Sequence, residues 1–102
     1  MSPLIADNLE QIGRLCRLYG VSKLEAFGSI LRQDSDPAHS DVDLLVEFQS
    51  QVAHSFANFL DLKEALEGLL GRRVDLFELH AVRNRRLRYH IEQSKSPLYA
   101  AA

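Results

Sequence analysis

The chain has one cysteine, Cys16, among 102 residues, and no tryptophan. A lone thiol excludes an intrachain disulfide and a thiolate zinc site, and fits a reducing compartment. His54 and His80 share no ligand spacing with each other or with Cys16, so zinc is not expected. Long apolar runs are also missing. Nothing approaches the ~20 residues of a membrane span, and the N-terminus has neither the basic nor the apolar region of a signal peptide. The expectation is a cytoplasmic protein without membrane contact. Charge of one sign is scarce, with a formal net charge of -2, which excludes a globally basic nucleic-acid binder. A Gly-x-x-x-x-Gly-Lys-Ser/Thr stretch and a dinucleotide fingerprint are both absent, removing two familiar glycine-rich phosphate cradles.

What remains is the composition of a folding domain, 46% hydrophobic and 25% charged. Residues 1–102 read as one domain with no internal repeat or low-complexity stretch. From Pro3 to Tyr19, Ile5, Leu9, Ile12, Leu15, Cys16 and Tyr19 recur at helical spacing, with Ser2 as cap and Gly20 as stop. Cys16 falls on the apolar side and reads as core. Val21 to Phe27 carries a strand in its second half, and Asp41 to Phe48 is another. Ser55 to Leu70 is an apolar helix capped by Ser55 and ended by Gly71. Arg73 to Leu79 alternates as a strand, and Val82 to Gln93 is a weaker helix before a frayed terminus containing Pro97. The order predicts an α/β (α+β) domain, a small mixed sheet with helices packed on one face.

The stretch Ser40-Asp41-Val42-Asp43-Leu44-Leu45-Val46 places two aspartates in an apolar strand. Strand side chains alternate, so Asp41 and Asp43 share one face while Val42, Leu44 and Val46 share the other. The apolar row can be buried against helices. The carboxylate row must meet water, a counter-charge or a cation, because two anions about 6–7 Å apart along the backbone repel and resist desolvation. Hard carboxylates beside open coordination positions suit magnesium, which keeps waters and shares its sphere with nucleotide phosphates. Gly28-Ser29, at the end of the preceding strand, adds backbone N–H groups and a hydroxyl where a phosphate could approach. Asp75, flanked by Val74 and Leu76, occupies the same kind of position in the later strand. A neighbouring strand would bring this third carboxylate to the pair, where it could hold a second ion or take a proton from an attacking hydroxyl.

These residues resemble the DNA polymerase β-like nucleotidyltransferase superfamily, and most closely its minimal nucleotidyltransferases. The matching positions are Gly28 and Ser29, then Arg32, then Ser40, Asp41, Asp43 and Leu44, and finally Val74, Asp75 and Leu76. The resemblance implies a palm-like mixed sheet and two magnesium ions held by Asp41, Asp43 and Asp75. It also implies transfer of AMP from ATP to a hydroxyl, with Gly28, Ser29, Arg32 and Ser40 binding the nucleotide. Many minimal members are antitoxins that add AMP to a tyrosine of a helical HEPN ribonuclease toxin, so such a toxin is the partner implied here. Leu31 and Gln33 stand where the family often has alanine and glycine. That added bulk favours an alternative, a weakly catalytic or non-catalytic module that blocks its partner by docking.

Other signals carry less. Arg85 and His90 have the Arg-x-x-x-x-His spacing of HEPN ribonucleases, but nine arginines and four histidines produce such a pair readily. Arg83, Arg85, Arg86, Arg88 and Lys95 gather five of the twelve basic side chains near the C-terminus. A solvated face or a patch for an acidic partner explains that cluster better than nucleic acid does. A chain of this size has few helices to cover its sheet, so a homo-oligomer or a stable partner is expected.

Overall fold

A computed structural model of the chain describes residues 3–28, 41–50, 56–78 and 81–101. The elements are α1 (Pro3–Ala6), α2 (Leu9–Leu18), β1 (Val21–Phe27), β2 (Val42–Phe48), α3 (Phe56–Leu70), β3 (Val74–Glu78), α4 (Arg85–Ser94) and β4 (Ser96–Ala100). The four strands form one mixed sheet in the order β3-β2-β1-β4. β1 is antiparallel to both β2 and β4, whereas β2 and β3 run parallel with α3 as their crossover.

Strand alternation decides what lies on each face. Leu24 and Ala26 of β1, Val42, Leu44 and Val46 of β2, and Val74 and Leu76 of β3 join one buried cluster with Ile5, Ile12 and Cys16 and with Leu62, Leu66 and Leu70 of α3. This is the helix-covered face that the sequence pattern implies. Each fully buried Leu or Ile there contributes about 1.5–3 kcal/mol of transfer free energy. Burial pushes the Cys16 thiol from 9.0 up to about 12, so it is inert core rather than a nucleophile. To this layer the structure adds α4, across part of the opposite face. Its Ile91 and Leu87 close on Phe27, Leu45, Phe77 and Val82 in a second, smaller cluster. Beside that cluster Glu25, the one buried charged residue among those described, lies 3.7 Å from Lys23 and 3.7 Å from Lys95, where α4 passes into β4.

Several boundaries differ from the sequence reading, and β1 takes in all of Val21–Phe27 rather than its second half alone. The N-terminal helix is broken, because the Asn8 side chain donates to the Leu4 carbonyl at 2.7 Å and takes the acceptor that a continuing helix gives to the backbone N–H four residues on. The last helix begins at Arg85 rather than Val82, because the Asn84 side chain accepts the Leu87 N–H at 3.1 Å and caps it. The terminus read as frayed is β4. Pro97 obscures it in the sequence, yet proline is tolerated on an edge strand. Pairing with β1 (Glu25↔Pro97 and Leu24↔Tyr99 with an irregularity between them) supplies the partner that five residues alone cannot reveal. Ser55, the expected cap of α3, lies outside the described residues.

β3 is an edge strand, and its start is tied down from two sides. The Val42 N–H donates to the Arg73 carbonyl at 2.9 Å. The Val74 N–H donates at 2.9 Å to the Glu67 carboxylate of α3, which also pairs with Lys63 at 3.2 Å. Those bonds, the Val74 N–H first, hold the Glu67 carboxyl below its ordinary 4.5. A depressed carboxyl stabilises the fold above its unfolded value, and the contribution is lost as pH falls. Glu67→Ala is therefore expected to cost about 1–2 kcal/mol near neutral pH, the worth of a charge-assisted hydrogen bond. In urea titrations the difference from the parent chain should shrink as pH drops below about 4.5. A cost that is unchanged there would assign it to packing instead.

Candidate active site

Parallel pairing of β2 with β3 sets Asp43 directly opposite Asp75, and antiparallel pairing of β2 with β1 sets it opposite Phe27, the residue before Gly28. Three strand ends thus meet at one mouth, on the face away from the α2–α3 core. Asp43 and Asp75 are both half-buried, and Asp41 stands exposed one residue ahead of β2. Gly28 has φ +77°, a left-handed conformation that glycine adopts at little cost. A β-carbon there would lie 2.7 Å from Asp43 Oδ2, so Gly28 keeps open the space over the carboxylate as well as forming the turn.

The electrostatics follow from this crowding. The Asp43 carboxyl is pushed up from 3.8 to about 6, first by burial, then by the negative charges of Asp75 and Asp41, with a hydrogen bond to the Asp75 side chain retaining the proton. Two carboxyls that share a proton have the donor chemistry a hard divalent cation takes, since cation and proton compete for the same oxygens. The residues present therefore fit a magnesium ion. Among the described residues no three His, Cys, Asp or Glu side chains converge into a ready cage. The fold brings Asp43 and Asp75 together and leaves Asp41 beside them.

Of the residues singled out from sequence, Asp41, Asp43, Asp75 and Gly28 occupy one end of the sheet. Ser29, Arg32 and Ser40 lie outside the described residues. Two features had no sequence signal that reached them. Glu67 looks like one of many helix glutamates until its carboxylate is seen on the Val74 N–H, one residue before Asp75. A cavity of about 500 Å³ lies near the other end of β3, lined by Phe56 and Phe59 of α3, by Phe77, and by Val82, Arg83 and Leu87 around the start of α4. None of the three aspartates lines it, so the carboxylate mouth, where the acid–base chemistry is, remains the candidate active site.

Between pH 3.8 and about 6 the folded chain holds an Asp43 proton that the unfolded chain has released. This site therefore makes the fold less stable as pH rises through that window. In metal-free buffer, Asp43→Asn is expected to be about 1–2 kcal/mol more stable than the parent near pH 8, allowing for solvent screening at the half-buried group. The two should converge near pH 4 in urea denaturation. No gain at the higher pH would contradict the crowded-carboxylate geometry.

Known proteins resemble this chain in sequence and fold. Residues 10–102 match the family model for the polymerase beta nucleotidyltransferase domain. The protein adenylyltransferase MntA of Thermococcus cleftensis is 45% identical over 81 residues, 74% of this chain and 79% of the relative. A solved chain assigned as a minimal nucleotidyltransferase superposes with a TM-score of 0.76 at 33% identity, covering 95% of this chain and 96% of that one. A chain from the complex of an MNT antitoxin with a tri-AMPylated Shewanella oneidensis HEPN toxin shares the fold at a TM-score of 0.67 and 19% identity, covering 95% of this chain and 73% of that one. The chain belongs to the polymerase beta nucleotidyltransferase family, alongside its minimal nucleotidyltransferases.

Proposed function

We propose that the protein is a magnesium-dependent adenylyltransferase that moves AMP from ATP to a hydroxyl of a partner protein, and that the partner is a helical HEPN toxin whose tyrosine accepts the group. The observation that carries this reading is the opposition of Asp43 and Asp75 across a parallel strand pair beneath Gly28. It is supported by a 45% identical relative that is named a protein adenylyltransferase. A structural neighbour bound to AMP-PNP is a toxin-antitoxin complex, and another contains an AMPylated toxin. An antitoxin role follows if the modification silences the toxin.

In this reading the hydroxyl oxygen of the acceptor bonds to the α-phosphorus of ATP. The bond from that phosphorus to the oxygen bridging to the β-phosphate breaks, and pyrophosphate leaves. Asp75, on the outer strand of the sheet, takes the hydroxyl proton. Asp41 and Asp43 face the phosphates, and Gly28, whose missing side chain leaves the space over Asp43 open, lets the phosphate chain approach, with Ser29, Arg32 and Ser40 as the nearby donors in the sequence. Magnesium, held by Asp41, Asp43 and Asp75, would offset the like charges of carboxylates and phosphates and make the α-phosphorus more electrophilic.

The test is transfer of labelled AMP from ATP to the cognate HEPN protein. Asp75→Asn preserves shape but cannot accept the proton, so the rate should fall by about a hundredfold or more while thermal unfolding shows an intact fold. Near-normal transfer by the folded variant would remove Asp75 from the site. Full inhibition of the toxin without transfer by the parent chain would replace catalysis with docking.

A further inference from the structure

The cavity near the end of β3 is built differently from the carboxylate mouth. Its lining is mostly apolar, with Leu76, Phe77, Val82 and Leu87 beside the Phe56–Phe59 pair, whose rings stack at 6.3 Å. Phe56 is 72% exposed, and Leu60, one helical turn further along α3, is exposed beside it. An unshielded phenylalanine at the rim of a cavity is costly surface that an occupant would cover.

Positive charge gathers beside it. Arg83 lines the cavity, and Arg85, Arg86 and Arg88 follow on the exposed first turns of α4. The near acid of α4, Glu92, is already paired with Lys95 at 3.5 Å. Among the described residues none of these four arginines forms a salt bridge. Glu78 also lines the cavity and has its own interaction, so the excess of positive charge lies on the exposed start of α4 that follows Arg83. Aromatic side chains and arginines around a desolvated pocket are the usual anchors of protein interfaces.

We propose that this cavity is the docking surface for the partner protein, and that it receives an acidic amphipathic helix, with an apolar side chain seated among Phe56, Phe77 and Leu87 and flanking carboxylates on the arginines. The inference deepens the proposed function by naming where the protein partner binds, away from the carboxylate mouth. Nucleic acid fits less well, because a phosphate backbone would use the arginines and leave the aromatic walls uncovered.

The probe is a fluorescein-labelled peptide of about 16 residues with Leu and Phe at helical i, i+3, i+4 and i+7 spacing between glutamates, together with a version carrying lysines in place of the glutamates. Saturable binding of the acidic peptide, read by fluorescence polarisation, is expected. It should weaken at least about tenfold in Ala81→Trp, which fills the cavity from its exposed rim, and in the double variant Arg83→Glu/Arg86→Glu. The lysine version should bind at least about tenfold more weakly than the acidic one. Thermal unfolding of each variant controls for folding. Neither nucleotide nor metal is needed, so failure of docking and failure of AMP transfer are read separately. No saturable binding, equal binding by Ala81→Trp, or tighter binding of a single-stranded RNA of equal charge would overturn the proposal. So would a concentration-dependent dimer, broken by Ala81→Trp, that excludes the peptide.

Discussion

The parallel pairing of β2 with β3 is the constraint on which the rest of the molecule depends. It holds Asp43 against Asp75 on one face while Val42, Leu44 and Val46 join Val74 and Leu76 in the core on the other. A slip of one residue would exchange these rows, placing carboxylates in the core and valines at the mouth. Burial on the helix side therefore locks the register that brings two like charges together. Burial first, and that proximity second, are visible in an Asp43 carboxyl that is pushed up to about 6.

Holding a parallel edge strand requires more than a ladder on one side. A parallel pair needs a crossover, which α3 supplies, and α3 also extends Glu67 to the Val74 N–H on the outer edge of β3. That single bond satisfies a backbone donor, blunts an open strand edge and anchors the residue preceding Asp75. Structural and chemical roles meet within three consecutive positions, Arg73 to Asp75.

The two ends of β3 carry opposite electrostatic character. Its beginning belongs to carboxylates that call for cations. Its end lies by an apolar cavity edged with arginine. On the proposed reading the two ends would divide reaction from recognition, the carboxylates acting at one and the cavity holding the protein substrate at the other.

Much of the site was legible because strand alternation is a strict rule. Asp41 and Asp43 two residues apart, with β-branched and leucine neighbours between and after them, can satisfy burial only with the carboxylates outward. Asp75 in Val-Asp-Leu repeats that logic. Gly28 was legible as a turn, but its closeness to Asp43 Oδ2 was not, since that distance depends on which strands pair. β4 was hidden because five residues containing a proline acquire strand character only by hydrogen bonding to β1. Glu67 and the cavity were hidden for the same reason, each being made by residues distant in sequence. The order of elements from α2 to α4, the buried face and the outward placement of the aspartates were thus determined by local periodicity and side-chain chemistry. The pairing of Asp43 with Asp75, the edge bond of Glu67 and the cavity that Phe56 and Phe59 share with Leu87 were decided only by the tertiary fold, because long-range contacts leave no periodic trace in the chain.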